Sequence, residues 1–370
     1  MNIGFDAKRA FHNKTGLGNY SRSLISALDQ YYPEHHYYLF AKHSENQAFQ
    51  RWSAALRQTS IIHPKTHPLD VSWRSLVIPG LLSRYDCQIY HGLSAELPIG
   101  PRPKNTRYIV TIHDLIFMRY PKLYSFIDRQ IYYRKTLHAC KTADHIIAVS
   151  EQTKADLINI MKIEDSRISV IYPTVDEIFH KKWSNEALQM VKEKRHLPDR
   201  YILNVGTLEE RKNALLLLKA LPLLDDRVHA VFVGKGTRYQ AELDQFIRSY
   251  RLQSRVHFLN DIQFAELPAI YQLASALVYP SRFEGFGLPM LEAACSGIPA
   301  IGARGSSLEE AGGPGAICID PDDVEGLVYQ IQKVTHDSSY RSLLIRQGYE
   351  YAAAISTAYL AKHTMEIYVK

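Results

Sequence analysis

Short apolar runs alternate with longer amphipathic stretches along the whole chain, a pattern that predicts strands and helices in regular succession. In the first half the runs cover 2–6, 37–42, 87–91, 108–113, 145–150 and 168–172. In the second they cover 201–206, 229–234, 256–259, 276–280, 299–302 and 316–320. Amphipathic segments such as 213–221, 239–250 and 266–274 lie between them. Strand–helix alternation builds right-handed βαβ units on a parallel sheet. Two such series predict an α/β protein of two Rossmann-like, doubly wound parallel sheets facing across a cleft, with ligands at the carboxyl ends of the strands.

The joint is expected within 173–200. Pro173-Thr174-Val175-Asp176 breaks the last strand of the first series. A polar stretch, 181–200, then precedes the next strand, and Leu197-Pro198-Asp199 marks its start. The expected domains are 1–180 and 181–357. The segment 340–370 reads as two helices with a break at Ile355-Ser356-Thr357, since alanine-rich helix formers lie on either side.

Composition narrows the class. With 46% hydrophobic and 22% charged residues, the 370-residue chain is globular rather than disordered. Cys87, Cys140, Cys295 and Cys318 are far apart and form no CxxC pair, so neither a zinc module nor a disulfide framework is indicated. This fits a reducing compartment. The opening residues carry no basic segment followed by an apolar one, and no run approaches ~18 apolar residues. The expectation is a cytoplasmic protein, and Asn13-Lys14-Thr15 is then a chance match to a glycosylation sequon. Charge is uneven. Residues 1–182 hold 24 Lys+Arg against 16 Asp+Glu, and residues 183–370 hold 20 against 22. No run of five basic residues occurs, which argues against nucleic acid. The basic half instead suggests peripheral contact with an anionic surface on the inner face of the membrane; the alternative is a scattered solvated surface.

The segment that carries chemistry is 280–302. A strand ends at Pro280, a loop holds Gly285 and Gly287, Pro289 suits a first helical turn, and Gly297 suits its C-cap. Glycines before a helix N-terminus let backbone N–H groups approach an anion, so the loop is built for a phosphate. Glu284 on the loop and Glu292 about one turn into the helix are poor phosphate ligands but good acceptors for sugar hydroxyls. The implied ligand has hydroxyls on both sides of its phosphates, as a nucleotide sugar does.

Glu-Gly-Phe-Gly-Leu-Pro-x-Leu-Glu, from Glu284 to Glu292, resembles the two-glutamate motif of the retaining glycosyltransferases of family 4, which have the GT-B fold. Leu267-Pro268, Tyr271, Ser307-Leu308 and Glu310-Ala311-Gly312 extend the resemblance through most of 200–325. The resemblance assigns Glu284 to hydroxyls of the transferred sugar and Glu292 to the ribose. Gly285, Phe286, Gly287 and Leu288 would offer their amides to the donor.

Gly206-Thr207-Leu208-Glu209-Glu210-Arg211-Lys212-Asn213 follows the first strand of the second series. A basic pair there can neutralise a departing diphosphate. The family carries an Arg and a Lys at this place. Lys212 matches the Lys, and Arg211 is assigned the Arg although Thr207 stands where that Arg often lies. Thr15-Gly16-Leu17-Gly18-Asn19-Tyr20 resembles the family's glycine loop before a helix, with Gly16 and Gly18 near the donor phosphates. His113, in Ile112-His113-Asp114-Leu115, resembles the family's cleft histidine near the transferred sugar; Asp114 either orients it or caps a helix. Ser150 reads as an N-cap. Asp320-Pro321-Asp322-Asp323 contains a DxD that reads as a cap and loop rather than a metal site, and Gly234-Lys235-Gly236-Thr237 is not a P-loop.

The resemblance implies transfer of a hexose with retention, without a metal or a cofactor beyond the donor. GDP-mannose is the first expectation, since Gly-Thr-Leu-Glu-x-Arg-Lys-Asn resembles bacterial mannosyltransferases of surface polysaccharide synthesis, and a UDP-sugar is the second. The expected partners are a saccharide or lipid-linked acceptor. The final helix, 358–370, is expected to pack back on the first domain.

Overall fold

Seven strands make the first sheet: β1 (Asn2–Asp6), β2 (His36–Phe40), β3 (Thr59–Ile62), β4 (Ile89–Gly92), β5 (Arg107–Ile112), β6 (His145–Ala148) and β7 (Ile168–Val170). Their order is β3-β2-β1-β4-β5-β6-β7, and every pairing is parallel. The computed structural model describes residues 1–63 and 73–370. Parallel pairing needs crossovers that cover both faces, so alternate residues of one strand feed two cores. Ile109 packs with Ile3, Phe5, Tyr37 and Leu39 on one face. Tyr108, Val110 and Ile112 pack with Phe40, Tyr90 and Ile146 on the other.

β3 lies outside the expected elements. Thr59-Ser60 breaks its apolar pattern, and this edge strand is only half-buried. The carboxylate of Asp29 places it from a distance, accepting from the amides of Arg57 and Gln58 at 2.8 Å and from the Thr59 hydroxyl at 3.0 Å.

The second sheet comprises β8 (Tyr201–Val205), β9 (His229–Val233), β10 (Val256–Leu259), β11 (Ala276–Tyr279), β12 (Ala300–Ala303) and β13 (Ala316–Ile319), in the order β10-β9-β8-β11-β12-β13. All its pairings are parallel. In both sheets the winding reverses beside the first strand, between β1 and β4 and between β8 and β11. A crevice opens at such a switch point because consecutive connections leave in opposite directions.

The chain divides into two compact units, residues 1–174 with 355–370, and residues 175–354. The division falls earlier than the expected 180 because Phe179, fully buried, packs edge-on against Tyr271 and Phe264 of the second unit. The polar stretch 181–200 is not a linker either. It holds a helix, Asn185–Lys194, whose N-terminus is capped by Ser184 through the Ala187 amide. Its last turn and the next residue send Lys194 and Arg195 to the carboxylate of Glu266.

The helices Ser338–Ala354 and Thr357–Val369 are separated at Ser356, which caps the second. Leu360, Ala361, Met365, Ile367 and Tyr368 of that last helix join the core of Ile3, Phe5 and Leu24 in the first unit. The Tyr368 hydroxyl meets His91 Nδ1 at 2.6 Å, and His91 Nε2 meets Thr111 Oγ1 at 2.8 Å. Burial pushes His91 down to about 3, so it is neutral in this chain of contacts.

Candidate functional site

The β8–β11 switch point collects the residues that the sequence singles out in the second unit. β8 ends before Gly206, and a tight turn, Glu210–Lys212, hangs from it. β11 ends at Tyr279, and the loop from Ser281 to Gly287 leads into the helix Leu288–Ser296. Lys212 Nζ reaches Glu284 Oε1 at 2.7 Å and also donates to the Tyr279 hydroxyl. Arg211, buried, pairs with the same Oε1 at 2.9 Å, donates to the Phe283 carbonyl and reaches Glu209 at 2.5 Å. Tyr279 and Ser281 donate to Glu284 Oε1 at 2.9 and 2.7 Å.

Four donors therefore converge on one carboxylate oxygen. Burial opposes ionisation of Glu284, but the charges of Lys212 and Arg211 outweigh it and bring its pKa down to about 2. Burial likewise opposes the charge on Arg211, and Glu284 and Glu209 hold its pKa above the ordinary value. The two cations expected for a diphosphate are thus held by Glu284 at this switch point, which fixes their positions beforehand.

The loop is shaped by two local features. Gly287 has φ +110°, and a Cβ there would lie 2.4 Å from Leu308 Cδ2, so glycine is required on both conformational and steric grounds. Ser307, buried, donates to the carbonyls of Glu284 and Phe286 at 2.9 and 2.8 Å and holds both ends of the glycine turn. Among the described residues no side chain caps the helix Leu288–Ser296 at its N-terminus, and Pro289 stands in its first turn. That end is the positive pole of the helix dipole.

Glu292, one turn further, accepts from the Tyr271 hydroxyl at 2.6 Å. Burial raises its pKa to about 7, against the Tyr271 bond and with help from the charge of Asp176. Glu284 and Glu292 therefore differ: one is an anion at any physiological pH, and the other titrates near neutrality.

In the first unit, His113 directly follows β5. Its Nε2 lies 2.9 Å from the Leu93 carbonyl, so that nitrogen carries the proton and Nδ1 is an acceptor. Burial takes its pKa down to about 4, and the imidazole is neutral. The Tyr20 ring stands edge-on at 4.7 Å. His113 lines a cavity of about 260 Å³ with Arg9, Glu96, Tyr124, Tyr132 and Lys135. Asp114 accepts from the Ile116 amide at 3.0 Å, two residues on.

Gly16 and Gly18 do not form a loop before a helix. They are the first and third residues of the helix Gly16–Tyr31. Asn13 winds the chain tightly there, its Oδ1 accepting from the Thr15 amide at 2.7 Å. A Cβ on Gly18 would lie 1.9 Å from the Asn13 carbonyl oxygen, whereas one on Gly16 would meet nothing within 4 Å. Only Gly18 is demanded by packing.

Ser150 and the 320–323 segment have structural employment. Ser150 caps the helix Glu151–Met161 through the Thr153 amide at 3.0 Å. Asp323 caps the helix Val324–His336, and Asp322 pairs with Arg282. Tyr279 and Ser281 carried no assignment from sequence. Tyr271 and Ser307 were recognisable there only as flanking residues.

Two parallel, doubly wound sheets with a cation–carboxylate cluster at the second switch point have the form of a GT-B glycosyltransferase. The chain belongs to that class: residues 186–351 match the family "Glycosyl transferases group 1", and residues 14–178 match "Glycosyltransferase Family 4". It is 27% identical to O-antigen chain mannosyltransferase B of Escherichia coli, across 100% of this chain and 99% of that one. It is 33% identical to the O-antigen chain mannosyltransferase RfbU of Salmonella typhimurium over 58% of this chain, spanning 57% of that relative's length. Among solved structures, Anabaena HepE in complex with UDP-glucose shares the fold at a TM-score of 0.77 and 18% identity, over 99% of each chain. WaaG, described as a glycosyltransferase involved in lipopolysaccharide biosynthesis, shares it at 0.72 and 15%, over 99% of each chain.

Proposed function

We propose that this glycosyltransferase moves a hexose from a nucleotide sugar to a saccharide or lipid-linked acceptor in surface polysaccharide synthesis, with retention at the anomeric carbon. The observation that carries the reading is the Lys212–Arg211–Glu284 cluster beside an uncapped helix N-terminus at the β8–β11 switch point. Breaking the anomeric C–O bond leaves negative charge on the diphosphate and positive charge on the sugar. Lys212, Arg211 and the amides at Gly285–Leu288 take the first, each well-placed donor contributing on the order of 10²–10³ in rate. Glu284 accepts sugar hydroxyls, and its anionic state at all working pH values suits that task. Glu292 accepts ribose hydroxyls, and Gly206, Gly16 and Gly18 admit the donor phosphates.

His113, neutral and with Nδ1 as acceptor, meets a sugar hydroxyl rather than a phosphate. Protein cations replace a metal on the diphosphate in this scheme, and no further cofactor enters it. On the same-face route the departing diphosphate takes the acceptor proton.

GDP-mannose is the first donor, in line with the mannosyltransferases among the relatives. A UDP-sugar is the alternative, in line with the UDP-glucose complex of HepE. Among the described residues no helix is long and apolar enough to cross a membrane. Four free cysteines, three of them buried, suit the reducing cytoplasm. The test is thermal-shift and saturation-transfer NMR with GDP-, UDP- and dTDP-sugars, followed by an assay for released nucleoside diphosphate. Binding without release leaves a non-catalytic nucleotide-sugar binder, and no binding to any donor ends the proposal.

A further inference from the structure

Among the described residues, five of the exposed large hydrophobics fall within ten positions, Leu123, Phe126, Ile127, Ile131 and Tyr132. Phe126 and Ile127 are each 69% exposed. Most of the others are isolated along the chain. Four of the five lie on one helix, Phe126–Thr142, and Leu123 ends the short turn before it.

The helix is covered on two adjoining sides and leaves a row of side chains exposed. Thr136, Ala139 and Cys140 are buried against the unit. Tyr132, Lys135 and Thr136 wall the cavity that His113 also lines. At helical spacing, Ile127, Ile131, Arg134, His138 and Lys141 form a third row. This row is apolar in its first two turns and basic beyond them. Its helix carries four Lys+Arg against one carboxylate, Asp128, which is bound to the capping Ser125. His138 bonds the Pro98 carbonyl at 3.1 Å, and the residue after Pro98, Ile99, is 71% exposed.

We propose that the 126–142 helix and the turn before it are the surface by which this chain docks on an anionic lipid bilayer. Aliphatic tips at one end of the row, with exposed Phe126 next to them in sequence, followed by arginine and lysine along it, match the two halves of a lipid interface. The tips enter the acyl boundary, and the cations meet phosphate headgroups. A soluble chain with no partner on this row would expose an apolar strip that monomers usually keep small. The docked helix is also a wall of the His113 cavity. A saccharide whose lipid tail stays in the bilayer thus has its sugar end delivered beside that cavity. This last step rests on the lipid-linked acceptor proposed above, whereas the docking surface rests on exposure and charge alone.

The test is co-sedimentation of the full chain with phosphatidylcholine vesicles, with and without phosphatidylglycerol. Recruitment is expected only to the anionic vesicles and is expected to fall as salt rises. The double variant Phe126→Glu/Ile127→Glu should lower partitioning at least about tenfold. Arg134→Glu/Lys141→Glu should lower it about as much. Both variants should bind GDP- and UDP-sugars as the parent does. Separately, Ile127→Cys carrying an environment-sensitive fluorophore should shift to the blue on anionic vesicles, which tests the contact without disturbing the fold.

Equal partitioning to neutral and anionic vesicles overturns the proposal. So does unchanged recruitment of both variants, or no blue shift at Cys-labelled position 127. A change from oligomer to monomer in the Phe126→Glu/Ile127→Glu variant, with vesicle binding intact, assigns the row to a second copy of the chain and equally overturns it. Failure of the parent to bind any nucleotide sugar strikes the proposed function and leaves the docking surface standing.

Discussion

Replacing Glu284 by Gln separates the two tasks assigned to the switch-point cluster. Glu284 holds Lys212 and Arg211 at 2.7 and 2.9 Å. Its pKa near 2, against an ordinary 4.5, corresponds to about 3 kcal/mol of preference for the charged form in the folded protein. A depressed carboxylate stabilises above its unfolded pKa and loses that contribution as pH falls toward its folded pKa. Glu284→Gln should therefore lower the melting temperature at pH 7, where two buried cations lose their counter-charge, and the gap to the parent should narrow by pH 3. Turnover should fall, because sugar hydroxyls lose an anionic acceptor. Affinity for free GDP or UDP should stay level or rise, because both cations are released to the diphosphate. Calorimetric titration with the free nucleotides, beside a diphosphate-release assay, reads these separately. If Glu284→Gln weakens free-nucleotide binding as much as Lys212→Met does, the cations do not serve the diphosphate and the reasoning fails.

Other expectations follow from the same geometry. Glu292 titrates near 7, so nucleotide affinity should rise as pH passes upward through neutrality, and Glu292→Gln should flatten that dependence. Its raised pKa also means that its stabilising contribution is present below about 4.5 and lost as pH rises through about 7, visible as a melting difference from the Gln variant. Gly287→Ala should cost about 1–3 kcal/mol and impair donor binding, since positive φ and the Leu308 contact both oppose a Cβ; unchanged binding would show that the turn is not used. Tyr368→Phe should destabilise the first unit by about 1–3 kcal/mol by leaving buried His91 Nδ1 without a partner, measured by denaturant titration.

The elements most legible in sequence are those whose signals are local. The Gly285–Gly287 turn, Pro289 and the Gly297 cap lie within one short segment, and each acts through its own backbone. The central strands were legible because burial on both faces requires apolar runs. β3 escaped because an edge strand can carry Thr59-Ser60, and its placement depends on Asp29, some thirty residues away. The helix Asn185–Lys194 escaped because only Val191 on it is buried, so its polar sequence resembled a linker.

By itself the sequence determined the two-sheet architecture, the phosphate-suited loop, the two glutamates and the Arg211-Lys212 pair. These follow from periodicity, turn chemistry and residue type, which act over one or a few helical turns. Only the tertiary structure decided that Lys212 meets Glu284, seventy-two residues distant, and that Glu284 is held as an anion while Glu292 is not. Only it returned Tyr368 to His91 across 277 residues and set the apolar row of the 126–142 helix beside the His113 cavity. Charge state and neighbourhood depend on burial and on partners that the fold supplies, and no local stretch of chain contains them.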